Sequence, residues 1–455
     1  MMRLNIALSL CLFPLLCVAQ DTATPIAQDI SPTIVFGPYE YESKPDDEAF
    51  DEFNPMKAPA PGPMLLSKGD RLAILGDSIT EQKRYSRMIE TYLTVCYPQL
   101  EIETRQFGWS GEKTDGMLRR LEQDVLRFSP TVATLSYGMN DARYRPFDWV
   151  NGRWYRDHYT AIVRKLKASD VDVVVGSPGC SGKIAKWVNA KNGTLEEHNL
   201  NLCTLRDICI EIANSEDVRF ADVFWPMFKA QVLAGKQYGQ PDNPYEVAGA
   251  DGIHPGWAGH VIMAYAYLRA MGIDGKIGQF TIDMNDDSVS ASDGHTAKLT
   301  SAGTIVITSN RYPMVAEGSL DDENMIRSGM MLVPFFEELN QFTLTVTGLE
   351  SEFADVQWGE QIQRFSSVEL AAGVNLPKAF PSNPFSRPFA KVDEAVAAKQ
   401  TYETEQIKKV FHGAEGKRDI EAAATRTEAI RTPLAKAIRD AMVPVTHTIT
   451  VTPSK

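Results

Sequence analysis

The stretch Leu72–Gln82, LAILGDSITEQ, changes character within a few residues. Four apolar residues favour a buried strand, a turn follows at Gly76-Asp77-Ser78, and the remainder suits a helix. A serine at such a turn has two possible roles. It can cap the helix that follows, or it can present its hydroxyl as a nucleophile at the end of the strand. The stretch by itself is compatible with both roles.

Short runs rich in β-forming residues recur after residue 70 and alternate with longer segments whose apolar residues have helical spacing. The runs are RLAIL (71–75), EIETRQF (101–107), TVATLS (131–136), VDVVVG (171–176) and VRFADV (218–223). Strands separated by helices predict a parallel sheet that is covered on both faces. We therefore predict an α/β fold, a three-layer α/β/α sandwich with a five-stranded parallel sheet. Binding sites in such folds form at the carboxyl ends of the strands.

The beginning of the chain predicts an exported protein. Arg3 precedes an apolar run from Leu4 to Val18, and the small residue Ala19 follows it. This order is typical of a secretory signal peptide, and the run is too short for a comfortable membrane span. We therefore predict cleavage near Ala19, a secreted or periplasmic protein, and no stable membrane insertion.

At 455 residues the chain exceeds what one hydrophobic core usually supports. Its composition changes along its length and predicts four segments: a signal peptide (1–19), an extended acidic and proline-rich lead-in (20–65), the α/β domain (66–275) and a β-rich accessory region (276–455). Within the last segment, helical patterns at about 391–442 predict an insertion. Alternating threonine and apolar residues after Val443 predict a C-terminal strand that returns to pair with the β-rich part.

Charge and cysteine content narrow the possible functions. A net charge of −13 argues against nucleic-acid partners, because binding phosphates needs a surplus of lysine and arginine. Cys96, Cys180, Cys203 and Cys209 would remain after cleavage, and in an oxidising compartment four cysteines allow three disulfide pairings. The chain lacks CxxC pairs, HExxH and a P-loop pattern, so we predict no metal and no organic cofactor.

Three further stretches follow predicted strands or lie in the last loop of the α/β domain. They are GWSGEKT (108–114), YGMND (137–141) and DGIHPGWAGH (251–260). Together with GDS at 76–78, and in this order, they resemble the four blocks of the SGNH hydrolases, also called the GDSL esterase family. The resemblance covers about residues 66–275 and implies a flavodoxin-like sheet of the SGNH type and a serine ester hydrolase. The GxSxG motif of α/β-hydrolases is absent from the chain.

The resemblance implies a catalytic triad in which Ser78 is the nucleophile, His254 the base and Asp251 the carboxylate that orients the base. The spacing in DGIHP suits these roles. A histidine three residues after an aspartate can fold back so that the carboxylate holds one ring nitrogen while the other faces Ser78.

The resemblance also implies an oxyanion hole. Its hydrogen-bond donors would be the backbone N–H groups of Ser78 and Gly111 and the side-chain amide of Asn140. The second block reads SGEK, where the family more often has SGDT, and Gly108 is the alternative donor in this block.

Aromatic and arginine side chains cluster after the third strand and flank the second and fourth blocks. Aromatic faces with polar tips, together with arginines, suit a sugar or an acidic polysaccharide, although ordinary loop packing explains any one of them equally well. The candidates for substrate contact are Trp109, Arg143, Tyr144, Arg145, Trp149, Trp154 and Trp257.

We therefore predict a secreted serine esterase that hydrolyses acyl esters, most simply acetyl esters, on a carbohydrate through an acyl-enzyme. Its partner would be a small acyl ester or an acylated polysaccharide. Two alternatives stay open. A lipase, lysophospholipase or thioesterase would use the same residues, and a glycan-binding or surface protein could keep the fold without catalysis. The sequence does not indicate the oligomeric state.

Overall fold

The computed structural model describes residues 39–301 and 303–454. The predicted signal peptide and the first part of the lead-in lie outside the described residues. Within the described part, no helix is both long and apolar enough to cross a membrane. The chain from Tyr41 onward forms one compact unit, and the boundary at residue 275 within it stays a prediction.

Five parallel strands form the central sheet, as predicted. They are β1 (Arg71–Gly76), β2 (Glu103–Gly108), β3 (Val132–Ser136), β4 (Asp172–Gly176) and β5 (Arg219–Ala221), in the order β2-β1-β3-β4-β5. β3 is buried along its whole length and β4 in all but its first residue. Such burial is expected of central strands whose apolar side chains are covered on both faces.

Helices accompany this sheet and complete the predicted sandwich. They are α1 (Ser78–Glu81), α2 (Tyr85–Cys96), α3 (Thr114–Arg120), α4 (Trp149–Lys167), α5 (Leu195–Glu216), α6 (Phe224–Tyr238) and α7 (Trp257–Ala270). α2 packs against α7, and α4 packs against both α3 and α5. The α/β/α fold expected from the alternation of patterns is thereby confirmed.

Further sheets follow in the β-rich part of the chain. Their strands are β6 (Lys276–Asp283), β7 (Ser288–Ala291), β8 (His295–Ser301), β9 (Thr304–Ser309), β10 (Gln341–Thr347), β11 (Phe353–Trp358), β12 (Gln361–Ser366), β13 (Val374–Asn375) and β14 (Val445–Ser454). One sheet has the order β13-β10-β6-β7 and another has the order β12-β11-β14-β9-β8. The last strand, β14, lies between β11 and β9 and is antiparallel to both, with alternate residues from Val445 to Val451 buried.

Shorter and inserted helices complete this part. They are α8 (Ile326–Met331), α9 (Phe335–Glu338), α10 (Ser367–Ala372), α11 (Leu376–Ala379), α12 (Ser386–Glu405), α13 (Ala414–Arg418) and α14 (Ile420–Ala441). A π-helical segment, Gln406–Phe411, continues α12. We call residues 386–441 the helical insertion; its first helix begins five residues before the start predicted from the sequence.

The helical insertion covers the edge strand β2, against which α12 packs. The side chains of Lys399 and Arg431 both donate hydrogen bonds to the Thr104 carbonyl, that of Arg431 at 3.0 Å. The Gln106 N–H donates to the Glu403 carboxylate at 3.2 Å. Because β2 pairs with only one neighbouring strand, these side chains satisfy backbone groups that the sheet leaves open.

The described part of the lead-in carries two buried aromatic anchors that its composition did not indicate. Phe50 and Phe53 are almost completely buried. Both pack on Phe228 of α6, with ring centroids 5.5 and 4.5 Å away. The acidic residues around them therefore belong to a segment that is fixed to the α/β domain.

The described part of the chain contains the cysteines Cys96, Cys180, Cys203 and Cys209. All four are buried and free, so none of the three possible disulfide pairings is formed. Burial raises the pKa of each thiol well above its ordinary value. A protonated, buried thiol is a poor nucleophile. These thiols therefore act as core side chains.

Candidate active site

The turn of the first block settles which residue caps the helix. β1 ends at Gly76 and α1 begins at Ser78. The cap is Asp77, whose carboxylate accepts a hydrogen bond from the Ile79 N–H at 2.9 Å. The capping alternative for Ser78 is therefore wrong, and its hydroxyl is available for other contacts.

The hydroxyl of Ser78 lies at one end of a hydrogen-bonded chain that we call the triad, Ser78-His254-Asp251. Ser78 Oγ is 2.8 Å from His254 Nε2. His254 Nδ1 is 2.7 Å from Asp251 Oδ2. Residues separated by 176 positions thus meet at the carboxyl end of the central sheet.

The protonation of Asp251 determines the direction of these hydrogen bonds. Burial pushes the pKa of Asp251 up, but hydrogen bonds from the backbone and ring of His254 and from the Ile253 N–H outweigh burial and hold the pKa below its ordinary value. An ionised carboxylate only accepts, so the ring hydrogen of neutral His254 lies on Nδ1. Nε2 then accepts the hydrogen of the Ser78 hydroxyl.

Two glycines shape the loop that carries His254. Gly249 and Gly252 have positive φ angles of 85° and 81°. A Cβ atom on Gly249 would lie 1.8 Å from the His254 carbonyl oxygen. The Gly252 carbonyl accepts a hydrogen bond from the Gly182 N–H at 2.9 Å, which ties the loop to the segment after β4. The imidazole is thus held by a backbone that only glycine permits.

The three expected oxyanion donors lie around the same turn. The Asn140 amide donates to Asp77 Oδ2 at 3.2 Å and to the Glu112 carbonyl at 3.1 Å, so it bridges the residues next to Ser78 and Gly111. Gly111 is exposed and has a φ of 75°. Within residues 39–301 and 303–454, neither the Ser78 N–H nor the Gly111 N–H has a hydrogen-bond acceptor. Both are therefore available to a bound oxygen.

Gly108, the alternative donor, is already engaged. Its N–H donates to the Gln106 side chain at 3.0 Å. A Cβ at this position would lie 2.2 Å from the Glu81 nitrogen, so Gly108 allows the end of β2 to pack closely on α1. The geometry favours Gly111 as the donor from the second block.

Two buried carboxylates brace the blocks. The Asp141 carboxylate accepts hydrogen bonds from the Thr114 N–H at 2.9 Å and from the Gly138 N–H at 3.1 Å, and so joins the second block to the third. Burial raises the pKa of Asp141 to about 6 and that of Asp77 to about 7. Among the hydrogen bonds of the described residues, none joins Asp77 or Asp141 to His254, and both carboxylates hold loops together.

Two aromatic side chains lie beside the triad. The Trp187 ring centroid is 5.9 Å from that of His254, and Trp187 is 56% exposed. The Tyr144 hydroxyl donates a hydrogen bond to Asn140 Oδ1 at 3.2 Å. Tyr144 was predicted from the sequence as a candidate for substrate contact, whereas Trp187 was not. The available signal was a tryptophan in a loop after the carboxyl end of β4, where sites of parallel sheets form.

Trp109 and Trp257 flank the triad from the second and fourth blocks. Trp257 is the first residue of α7, and the Arg84 guanidinium lies 5.6 Å from its ring centroid. The Trp109 N–H donates to the Gly76 carbonyl at 3.0 Å, which fixes this residue beside the first block. A role of either ring in substrate contact stays a prediction.

The remaining candidates lie before or within the first turns of α4. The Arg143 guanidinium is 5.2 Å from the Trp154 ring centroid, and Arg145 pairs with Asp148. Trp149 is 60% exposed. Among the ring, ion-pair and hydrogen-bond contacts of the described residues, none joins Arg143, Arg145, Trp149 or Trp154 to the triad. Their role in substrate contact also stays a prediction.

Comparison with known proteins gives the domain an identity. Residues 74–262 match the GDSL-like lipase/acylhydrolase family. This part of the chain belongs to that family. The GDSL-type domain contains all four blocks, and the protein is an SGNH-type ester hydrolase, as the resemblance implied.

Individual proteins are similar to this chain over different lengths. The acetylxylan esterase of Geobacillus stearothermophilus is 25% identical over 233 residues, which make up 46% of this chain and 98% of the relative. The crystal structure of an acetylxylan esterase from the same organism has a TM-score of 0.37 at 20% identity, covering 46% of this chain and 97% of its own. A gut microbial diltiazem-metabolizing enzyme has a TM-score of 0.66 at 22% identity, covering 86% of this chain and all of its own. This last likeness concerns the fold, and it reaches beyond the GDSL-type domain into the C-terminal part.

Proposed function

We propose that this protein is a secreted esterase that removes acetyl groups from a carbohydrate through an acyl-enzyme formed on Ser78. The observation that carries the proposal is the hydrogen-bonded chain from Ser78 Oγ through His254 to Asp251, with distances of 2.8 and 2.7 Å. Ester hydrolysis follows from the family. The residues that perform it, the substrate and the secretion are the proposed parts.

In the acylation step, Ser78 Oγ attacks the ester carbonyl carbon while His254 Nε2 accepts the hydroxyl proton. Asp251 keeps the ring hydrogen on Nδ1 and stabilises the imidazolium that forms. The tetrahedral intermediate then collapses, the bond to the sugar oxygen breaks, and His254 returns the proton to that oxygen. The sugar leaves as an alcohol, and the acetyl group stays on Ser78.

Deacylation repeats the sequence with water. His254 takes a proton from a water molecule, whose oxygen attacks the acetyl carbonyl, and the proton then passes to Ser78 Oγ as acetic acid leaves and ionises in the solvent. In both steps the carbonyl oxygen becomes an oxyanion. The N–H groups of Ser78 and Gly111 would donate to it, and the Asn140 amide would exchange its 3.2 Å hydrogen bond to Asp77 for one to the oxyanion.

The substrate class is supported by the surroundings of the triad and by the relatives. An exposed indole, Trp187, offers a face on which a sugar ring can stack, and the Tyr144 hydroxyl next to Asn140 offers a polar contact. The curated relative that matches over 98% of its length is an acetylxylan esterase. An acetylated polysaccharide or its oligosaccharides therefore fit this site better than a long acyl chain.

The proposal is tested first at Ser78. The natural protein should hydrolyse p-nitrophenyl acetate, and mass spectrometry of a quenched reaction should find an acetyl group on the peptide that contains Ser78. The Ser78→Ala variant should lose both the activity and the adduct while it keeps the melting temperature of the natural protein. Equal activity of the two proteins would contradict the proposed nucleophile.

A second comparison separates the alternative functions. Acetate release from acetylated xylan should exceed hydrolysis of long-chain p-nitrophenyl esters; the reverse order would favour a lipase or thioesterase. Failure to cleave any ester, with retained binding of glycans, would favour a non-catalytic protein. Trp187→Ala should raise KM for acetylated oligosaccharides and leave the kinetics on p-nitrophenyl acetate nearly unchanged, because the small ester has no sugar to stack.

The secretion proposal rests on residues 1–19 and has its own test. When the full-length chain is expressed in a bacterium, the protein recovered from the periplasm or the medium should begin just after Ala19. An intact Met1 on protein from the same fraction would contradict cleavage at this position.

A further inference from the structure

The helical insertion contacts the second block at Trp109. The ammonium group of Lys408 is 5.1 Å from the centroid of the Trp109 ring. The ring of His412 is 4.8 Å from the same indole and meets it edge to face, at 73°. Lys408 lies within the π-helical segment, and His412 is the residue that follows this segment. A segment about 300 positions away in sequence therefore touches the loop that carries Gly111.

Lys408 is also linked to the residue before Gly111 through Glu81. The ammonium group lies 2.7 and 2.9 Å from the two carboxylate oxygens of Glu81. The same carboxylate accepts a hydrogen bond from the N–H of Ser110, the residue before Gly111. Glu81 is the last residue of α1, the helix that begins with Ser78. One carboxylate thus joins α1 to the second block, and the ion pair with Lys408 balances its charge.

A chain of buried charges links His412 to the residue after Gly111. His412 Nε2 lies 2.8 Å from an oxygen of Asp124, which is completely buried. Asp124 pairs with Arg120 at 3.3 Å, and the Arg120 guanidinium binds both carboxylate oxygens of Glu112 at 2.7 Å. Glu112 is the residue after Gly111. It stands where the family more often has aspartate, and its longer side chain reaches Arg120.

We infer that Lys408 and His412 are positioning residues that hold the second block so that the Gly111 N–H points at the oxyanion. The inference rests on the proposed function, because it assigns a purpose to the oxyanion donors described there. Both residues are assigned to act through the second block and not on the reacting atoms. Gly111 has no bulky neighbour of its own, since a Cβ there would meet nothing within 4 Å, so its orientation depends on Ser110 and Glu112.

The kinetic signature of such a role is specific. A donor that binds only the tetrahedral oxygen contributes to the transition state and not to the ground state, so its displacement lowers kcat and leaves KM unchanged. Misplacing a donor should cost about ten- to a hundredfold, less than the hundred- to thousandfold typical of removing one. A merely structural role of Lys408 would lower the melting temperature without this separation of kcat from KM.

The test compares Lys408→Met with the matched control Lys409→Met in the full chain. Lys409 is the next residue, its side chain is 73% exposed, and its partner is Glu405, one helical turn earlier. With p-nitrophenyl acetate as substrate, Lys408→Met should lower kcat about ten- to a hundredfold with KM within about twofold, whereas Lys409→Met should behave as the natural protein. Lys408→Arg should restore most of kcat, since it keeps the ion pair.

Two further variants keep the test independent of the folding of Lys408→Met. Glu81→Gln removes the same ion pair from the other side, and a double-mutant cycle with Lys408→Met should give a combined loss well below the product of the two single losses. His412→Phe keeps a ring against Trp109 but removes the hydrogen bond to Asp124, and it should also lower kcat without raising KM.

The outcomes separate this inference from the proposed function. If the natural protein cleaves p-nitrophenyl acetate and Ser78→Ala does not, but Lys408→Met matches Lys409→Met in kcat, the positioning role is wrong and the proposed function stands. A rise in KM at unchanged kcat, or additive losses in the cycle, would also overturn the positioning role. If Ser78→Ala retains the natural activity, the proposed function fails and the inference fails with it.

Discussion

Replacing Asp251 by asparagine tests the triad while it changes few contacts. The side-chain oxygen of the introduced asparagine can still accept the N–H groups of Ile253 and His254, which lie 2.9 and 2.8 Å from Asp251 Oδ1. The new NH2 group, however, would face His254 Nδ1 across the 2.7 Å hydrogen bond. Nδ1 must then accept, so the ring hydrogen moves to Nε2 and points at Ser78 Oγ. In this tautomer the imidazole cannot take the hydroxyl proton.

The expected loss follows from this change of tautomer. An equivalent substitution in the serine protease triad lowers kcat about 10⁴-fold, which corresponds to about 5.4 kcal/mol of activation free energy. The free energy of unfolding should change by less than about 1 kcal/mol, because both backbone acceptor contacts remain.

The assay measures kcat and KM on p-nitrophenyl acetate together with the melting temperature, with the exposed Asp242→Asn as control. Asp251→Asn should lose kcat alone, and Asp242→Asn should change neither the kinetics nor the melting temperature. A kcat of Asp251→Asn within tenfold of the natural protein would refute the assigned tautomer. So would a loss of activity that simply follows a lowered melting temperature.

Three further outcomes are expected. Asn140→Ala should lower kcat about a hundred- to a thousandfold at similar KM on p-nitrophenyl acetate, because it removes one oxyanion donor; a change in KM alone would contradict that role. Burial lowers the pKa of His447 to about 3, so the unfolded chain binds a proton at this residue more readily than the folded chain does. The free energy of unfolding should therefore fall as the pH drops below about 6.5, by about 2 kcal/mol at pH 5. The melting temperature of His447→Asn should depend less on pH between about pH 7 and pH 5 than that of the natural protein. An equal pH dependence of the two proteins would contradict the lowered pKa of His447. Arg431→Met should destabilise the chain by about 3 kcal/mol in thermal melts, because its ion pair with Glu403 is buried. The control Arg426→Met breaks an exposed ion pair and should cost less than about 1 kcal/mol. Equal losses of stability in the two variants would contradict the role of burial.

The α/β fold could be predicted because its signals are local. Each central strand is a short run of apolar residues between helical segments, and parallel strands require such alternation. The same rule brings the ends of distant strands to one edge of the sheet. That rule places Ser78 at this edge, whereas His254 lies in a loop, and its meeting with Ser78 was expected from the resemblance of the four blocks to the SGNH hydrolases.

The contacts of the C-terminal part could not be predicted in the same way. An amphipathic helix indicates that one of its faces is buried, but not which element covers that face. Nothing in the local pattern around Lys408 points to Glu81, and nothing around His412 points to Asp124. Trp187 was missed for a related reason, since its loop has no periodic pattern and none of the four blocks.

The cover on β2 has a consequence for the order in which the chain is made. β2 ends at Gly108, whereas the helices that satisfy its open backbone begin at Ser386. A ribosome adding roughly 5–20 residues per second needs about 15–60 s to synthesise the intervening segment. During that time the helices that satisfy the open backbone groups of β2 have not yet been synthesised. Nascent chains that are synthesised close together on one mRNA would be the most prone to incorrect pairing at the open edge of β2.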